Sequence, residues 1–206
     1  MKRLRMAAVA VVAAVAMAML AGSGTASATV LYNNIEDLPA GSEVSASLKT
    51  GSSMLLKAGF ANITCSESTF SGLTENTGGS SSTVRGRVSA LSIGFCNATV
   101  MVGSTFDVIK GVGDYGEFEV HHILGTGNGT LTGRAIEITV SLAGTHCVYR
   151  PLNSIDLGTI TAGNPATIHI NAKLPKSSGG FLCANPAEWT ATYTVTTPST
   201  LTVSAS

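Results

Sequence analysis

The segment Glu117-Phe118-Glu119-Val120-His121-His122 comes closest to a chemical site in this chain. Alternate side chains of a strand point to the same face, so Glu117, Glu119 and His121 would lie together and opposite Phe118 and Val120. Two carboxylates and an imidazole, with Asp114 nearby, suit a divalent cation. A solvated strand face has the same pattern, and we favour it. The three residues therefore stand only as metal candidates, and no cofactor is predicted.

The sequence contains the residue types that nucleophilic catalysis uses, but not in the motif or order of a known catalytic triad. Serines are abundant and His146 adjoins Cys147, but Gly-x-Ser-x-Gly is absent and no triad order is recognisable. The glycine pairs Gly111-Val112-Gly113 and Gly125-Thr126-Gly127 do not open a helical pattern, and no lysine follows as it does in a P-loop. We therefore predict no catalytic residues and a protein that is not an enzyme.

Glycan binding requires exposed aromatic side chains on which a sugar can stack. The single tryptophan, Trp189, falls on an apolar row and is predicted to be core. Tyr32, Tyr115 and Tyr149 are expected near strand ends and remain candidates for stacking. A glycan-binding module is therefore one alternative for this chain.

Strands must position these side chains, because apolar residues alternate with polar ones along much of the chain. The apolar rows are Trp189, Ala191, Tyr193 and Val195; Ile168, Ile170, Ala172 and Leu174; Ile136, Ile138, Val140 and Leu142; and Val44, Ala46 and Leu48. Glycine-rich turns separate the runs. We predict an all-β protein, an antiparallel β-sandwich of jelly-roll type with about ten to twelve strands, as one domain over residues 29–206.

The first 28 residues have the three parts of a secretory signal peptide. Lys2, Arg3 and Arg5 are followed by an apolar run and then by Ala26-Ser27-Ala28, which predicts cleavage after Ala28. The apolar run is shorter than the roughly 20 residues of a membrane-spanning helix. We expect a secreted, extracellular protein with no integral membrane segment after cleavage, either released or held loosely at the envelope.

Charge excludes one class of partner. Three of the 12 basic residues lie in the leader, so the mature chain has nine against 12 acidic residues. Nucleic acids and anionic membranes attract concentrated lysine and arginine, which are missing here. No nucleic-acid partner is predicted.

The four cysteines, Cys65, Cys96, Cys147 and Cys183, all lie in the mature chain. An even number in an oxidising compartment predicts two disulfides, and we favour Cys65–Cys96 and Cys147–Cys183 among the three connectivities because each closes a moderate loop between neighbouring strands. A metal site is the alternative, but no Cys-x-x-Cys occurs.

Several segments resemble a group of exported actinobacterial proteins with no assigned activity. They are Ala58-Gly59-Phe60-Ala61-Asn62-Ile63-Thr64-Cys65, the run from Leu157 to Thr167, Phe181-Leu182-Cys183 and the run from Trp189 to Val195. The resemblance covers nearly all of the mature chain and implies a secreted, disulfide-braced β protein. It supplies no site residues.

The predicted outward faces carry threonine and serine with few charges, as at Thr190, Thr192, Thr194 and Thr196. Little repulsion then opposes contact between sheets. We expect a non-catalytic structural or interaction protein that associates with itself or with cell-envelope components. The alternative is a binding module or carrier for a small apolar ligand or glycan.

Overall fold

A computed structural model describes residues 28–59, 61–79, 82–98, 105–106, 115–142 and 145–205. Within these ranges the regular structure consists of β-strands, and no helix is long and apolar enough to cross a bilayer. The strands are β1 (Val30–Tyr32), β2 (Glu43–Leu48), β3 (Met54–Gly59), β4 (Asn62–Thr74), β5 (Val84–Ala98), β6 (Thr105–Phe106), β7 (Glu117–His122), β8 (Gly129–Arg134), β9 (Ile138–Leu142), β10 (Thr145–Tyr149), β11 (Ile155–Thr161), β12 (Thr167–Leu174), β13 (Lys176–Ser178), β14 (Cys183–Thr197) and β15 (Thr202–Ser204).

Eight antiparallel strands close into a barrel in the order β12-β11-β8-β7-β5-β4-β2-β14. The ring closes where β12 pairs with β14, from Thr167 opposite Thr194 to Leu174 opposite Ala187. Both strands alternate strictly between buried and more exposed positions over this stretch, so their apolar rows face the interior together. Pairing of these two strands places the most regular apolar rows in the barrel wall.

The prediction of an all-β fold is confirmed, but a closed barrel replaces the predicted jelly-roll sandwich. Sequence alternation indicates that one face of a strand is buried and does not indicate whether the sheet closes on itself. The described part of the chain also has more strands than the ten to twelve expected. Several of them are only two or three residues long, and such short strands leave little alternation to detect.

Strands β2 and β3 occupy one position in the sheet. Both run antiparallel between β14 and β4, β2 beside the C-terminal half of β14 and β3 beside its N-terminal half. Residues 49–53 interrupt them, and Ser52 donates its backbone N–H to Lys49 O at 2.9 Å there. Together β3, β4, β5 and β14 extend the sheet beyond one end of the barrel.

A second sheet, in the order β13-β10-β9-β6, packs against this extension. Tyr149 of β10 is completely buried, and its hydroxyl donates to Ala58 O of β3 at 3.4 Å. The Cys147–Cys183 disulfide joins β10 to the start of β14. This end of the molecule therefore has two layers.

Both predicted disulfides are present, and no described cysteine is free. Cys65 and Cys96 lie directly opposite each other on β4 and β5, with a Cα–Cα distance of 4.0 Å. The second bridge connects the two sheets, whereas the sequence argument expected it between neighbouring strands.

The opposite end of the barrel is covered by a short ribbon of β1 and β15, with Val30 opposite Ser204. Leu31 of this ribbon and the neighbouring Leu201 are buried, and Val203 donates its N–H to Gly127 O in the β7–β8 turn at 2.9 Å. Apolar residues from the first and last described strands thus close this end.

Candidate functional site

The face formed by Glu117, Glu119 and His121 is exposed or half-buried, as a solvated strand face should be. Glu117 pairs with Arg134 on β8, whose Nε lies 2.8 Å from Oε2, and Glu119 pairs with Arg85 on β5 at 2.9 Å. The partners stand directly opposite in the strand register. These carboxylates are therefore engaged in cross-strand ion pairs.

Little remains on this face to hold a cation. His121 Nε2 lies 3.7 Å from Glu119 Oε2, on the same strand. The described residues contain no cluster of three or more potential metal ligands, and Asp114 lies outside those residues. A cleft of about 500 Å³ runs beside the face, and its charged walls are the same paired residues together with Glu75.

The remaining histidines make contacts to hydroxyl and carbonyl oxygens. His146 Nδ1 lies 2.8 Å from Ser141 Oγ, and His169 Nδ1 lies 3.2 Å from Thr192 Oγ1. Each is a cross-strand pair on an exposed face. His122 Nε2 contacts Thr126 O at 2.7 Å. Among the described residues, no histidine contacts both a serine and a carboxylate, the arrangement that a hydrolytic triad requires.

Of the three tyrosines proposed for stacking, Tyr149 is the one that the structure places differently from the prediction. Tyr149 is wholly buried, so its expected exposure near a strand end is wrong. Burial raises the pKa of its phenol to about 12, an effect that a backbone hydrogen bond with Ala184 partly opposes. Tyr32 and Tyr115 are half-buried. Trp189 is 5% exposed, and its assignment to the core is confirmed.

The C-terminal part of β5, residues Ser89–Ala98, forms what we call the open edge. One side of this stretch pairs with β4, whereas β7 pairs with β5 only from Val84 to Arg87. On the other side, Val88 donates its N–H to Gly116 O and accepts the N–H of Tyr115 at its carbonyl oxygen. Beyond Val88, no described residue forms backbone hydrogen bonds with this side of β5. The open edge is ten residues long and contains neither a charged residue nor proline.

Two features distinguish the open edge. The Cys65–Cys96 disulfide fastens it to β4. Phe95 adopts a left-handed backbone with φ of 49°, which is rare for a bulky residue, and its side chain is 75% exposed. Local backbone strain of this kind is concentrated at functional sites in proteins, where the surrounding structure enforces it.

The barrel interior contains an apolar cavity of about 70 Å³. Phe118 enters it from β7 and lies over Gly86 and Gly72, where an added Cβ would lie 2.3 Å and 2.8 Å from ring atoms of Phe118. The two glycines therefore make room for the phenylalanine. Sequence reasoning missed both this cavity and the open edge, since each depends on which distant strands become neighbours.

Comparison with protein-family models, with curated proteins and with solved structures gives no match for this chain. The function must therefore be argued from the geometry.

Proposed function

We propose that this chain is a secreted, non-catalytic protein of the structural or interaction class that associates through the open edge of β5. A partner strand would add to Ser89–Ala98 and form main-chain hydrogen bonds with it, a common mode of recognition. The observation that carries the proposal is the length of this uncharged stretch, on whose outer side none of the described residues supplies a backbone partner, whereas the other barrel strands pair on both sides.

Long unpaired edges are usually blunted by lysine, proline or a covering element, because they invite association. Residues 89–98 contain none of these side chains, and Ala90 and Ser92 point to solvent. A second copy of the chain carries the same uncharged edge, so antiparallel pairing about a two-fold axis meets no like-charge repulsion. We therefore take a second copy as the first partner to test and envelope components as the next.

The location is proposed on two grounds. The leader predicted over residues 1–28 lies outside the described residues except for Ala28, so it remains a sequence prediction. Two disulfides and no free described cysteine are consistent with an extracellular protein, because disulfides persist in oxidising compartments.

Self-association of residues 29–206 can be measured by light scattering coupled to size exclusion, over a concentration series from micromolar to millimolar. We expect the mean mass to rise toward that of a dimer. The variant Ala90→Lys/Ser92→Lys adds two exposed positive charges to the open edge and should return the protein to a monomer.

The matched control is Thr64→Lys/Thr69→Lys, which adds the same charge at exposed positions one strand further in, on β4. It should associate as the unmodified protein does. If the unmodified chain stays monomeric at millimolar concentration and sediments with neither cells nor envelope fractions, the proposed function is wrong. If both lysine variants lose association to the same extent, the contact does not lie specifically at the open edge.

A further inference from the structure

The open edge is regular only in its middle. Along Ala90–Gly94 the register with β4 runs without a shift. At one end the register shifts, and Ser89 is left over between the pairs that Val88 and Ala90 form, as in a β-bulge. At the other end Phe95 has the left-handed backbone described above. A regular stretch of five residues is therefore bounded on both sides by an irregular residue.

The side chains of this stretch alternate between two faces. Leu91 is buried and Ile93 packs half-buried against the core, whereas Ala90 and Ser92 are exposed. Gly94 continues the outward row. Directly opposite residues of an antiparallel pair point to the same side of the sheet, so a partner strand must set inward residues opposite inward ones.

A second copy of the chain meets this requirement when it pairs antiparallel about a two-fold axis at Ser92. Ser92 then stands opposite Ser92 of the second copy, Leu91 stands opposite Ile93, and Ala90 stands opposite Gly94. Every pair shares a face, and the whole regular stretch is used by both copies.

Other positions of the axis fit less well. An axis between two residues would set every inward side chain opposite an outward one. An axis at Leu91 would bring Ile93 opposite the irregular Ser89. An axis at Ile93 would bring Leu91, which is buried, opposite Phe95, whose side chain is 75% exposed.

The side chains that meet in the Ser92 register are compatible. Two serine hydroxyls face each other at the axis, and the aliphatic Leu91 and Ile93 pair on the inward face. Ala90 lies beside Gly94, where an added Cβ has no neighbour nearer than 3.8 Å. The stretch contains no charged residue, so like charges do not meet.

The outer surface of the barrel also leads to this residue. A row of hydroxyl side chains, each opposite the next, crosses six neighbouring strands and ends on the open edge: Thr161, Thr167, Thr194, Ser47, Thr69 and Ser92. Pairing at Ser92 would continue this uncharged row into the second copy.

We propose that two copies of this chain join antiparallel along Ala90–Gly94, with the two-fold axis at Ser92. This inference rests on the association through the open edge proposed above and specifies its register. A two-fold contact uses the same edge of both copies, so neither copy keeps an edge to which a third could add. The assembly is therefore a closed dimer and not a growing fibre.

Disulfide cross-linking between single-cysteine variants of residues 29–206 reads the register directly. All four native cysteines are bridged, so the introduced thiol is the one that reacts. The Cα atoms of directly opposite residues in an antiparallel pair are about 4.5–5.5 Å apart, within disulfide reach. A shift of two residues moves the thiol by about 7 Å along the strand and out of reach.

Ser92→Cys alone should form a covalent dimer under mild oxidation. An equimolar mixture of Ala90→Cys and Gly94→Cys should form the mixed dimer, whereas neither of these two variants should cross-link by itself. We expect rates at least about 10-fold above that of Thr69→Cys, because pairing holds the thiols together. Thr69→Cys is the matched control, since it is exposed and lies directly opposite Ser92 on β4.

Non-reducing electrophoresis and intact mass give the products, and melting temperatures show that each variant is folded. The mixture of Ala90→Cys and Gly94→Cys reads the same register without any change at Ser92, so the test does not depend on a single variant.

A preference for the mixed dimer of Ser92→Cys with Gly94→Cys would place the axis at Ile93, and one with Ala90→Cys would place it at Leu91. Either result overturns the proposed register. Growth of the mean mass beyond two copies overturns the closed dimer.

Failure of this inference differs from failure of the proposed function. If light scattering shows a dimer of the unmodified chain but no variant cross-links faster than Thr69→Cys, the register is wrong and the association stands. If the unmodified chain does not associate with itself at all, the pairing at Ser92 is wrong, and sedimentation with cells or envelope fractions then decides the proposed function.

Discussion

The hydroxyl oxygen of Tyr193 lies 2.9 Å from Oγ of Ser68, and both side chains are buried. Tyr193 belongs to β14 and Ser68 to β4, two strands that lie on either side of β2 in the barrel. The ring of Phe70 packs edge-on against Tyr193 with centroids 5.4 Å apart. This contact therefore links two wall strands that share no backbone hydrogen bonds with each other.

Loss of that hydrogen bond should be measurable. Tyr193→Phe removes the phenol hydroxyl and leaves the buried Ser68 hydroxyl without this partner, and Ser68→Ala does the reverse. We expect each variant to lower the free energy of unfolding by about 1–2 kcal/mol. The double variant should cost less than the two single variants combined, because both remove one interaction. Urea denaturation monitored by circular dichroism gives the three values. Strictly additive costs would show that the two hydroxyls do not stabilise each other.

Stability should fall at alkaline pH because of the buried phenols. Burial raises the pKa of Tyr193 from 10.0 to about 12, an effect that the Ser68 hydrogen bond only partly opposes, and Tyr149 is raised to about 12 as well. The folded state therefore keeps protons that the unfolded state releases. The protonated phenols stabilise the folded state fully below pH 10. This stabilisation is lost as the pH rises from 10 toward 12, by up to roughly 3 kcal/mol per tyrosine.

Denaturation at a series of pH values between 8 and 12 tests this linkage. Tyr193→Phe has no phenol at that position, so its stability should fall less steeply over the same interval. A parallel pH dependence in the variant and the unmodified protein would assign the alkaline loss to other groups.

Two glycines of β5 should differ in how strongly an alanine substitution destabilises the fold. An added Cβ at Gly86 would lie 2.3 Å from the ring of Phe118 and 2.5 Å from Leu73 O, so Gly86→Ala should destabilise the fold by about 1–3 kcal/mol. At Gly94 the nearest atom would be 3.8 Å away, so Gly94→Ala should change stability by less than about 1 kcal/mol. The melting temperature of Gly86→Ala should be lower than that of Gly94→Ala. Equal melting temperatures would contradict the packing of Phe118 described above.

Removing the bridge between the sheets should affect the second sheet first. Cys147 and Cys183 are 36 residues apart, and the chain-entropy model assigns roughly 4 kcal/mol to a loop of that length. In Cys147→Ala/Cys183→Ala we expect faster amide hydrogen exchange in β9 and β10 than in β12. Cys65→Ala/Cys96→Ala is the comparison, since that bridge joins two strands that already pair. Uniform acceleration in both variants would mean that the second sheet does not open separately.

The sequence predicted what depends on neighbouring residues. Strict alternation in β12 and β14 identified both strands and their buried faces, including Trp189. Closure of the barrel depends on the pairing of these two strands, and alternation alone cannot select a partner. The open edge of β5 escaped prediction for the same reason. Alternation does not show which strands become neighbours, and it therefore cannot show on which side a strand lacks a described neighbour.

The burial of Tyr149 follows from its spacing to Cys147. It stands two residues after Cys147 on β10, so both side chains must point to the same face. A disulfide-bonded cysteine on that face already indicated burial. By contrast, the arginine partners of Glu117 and Glu119 lie on different strands, and only the register of β5, β7 and β8 brings them opposite the carboxylates.

The pairing of Val30 with Ser204 has a practical consequence for handling the molecule. Both ends of the described chain leave the barrel at the covered end, whereas the open edge lies toward the opposite end. A purification tag or surface tether at either end should therefore leave the edge accessible to solution. A short linker that joins residue 205 to residue 28 is also compatible with this geometry, so circular permutants with new ends in residues 49–53 suit display or immobilisation.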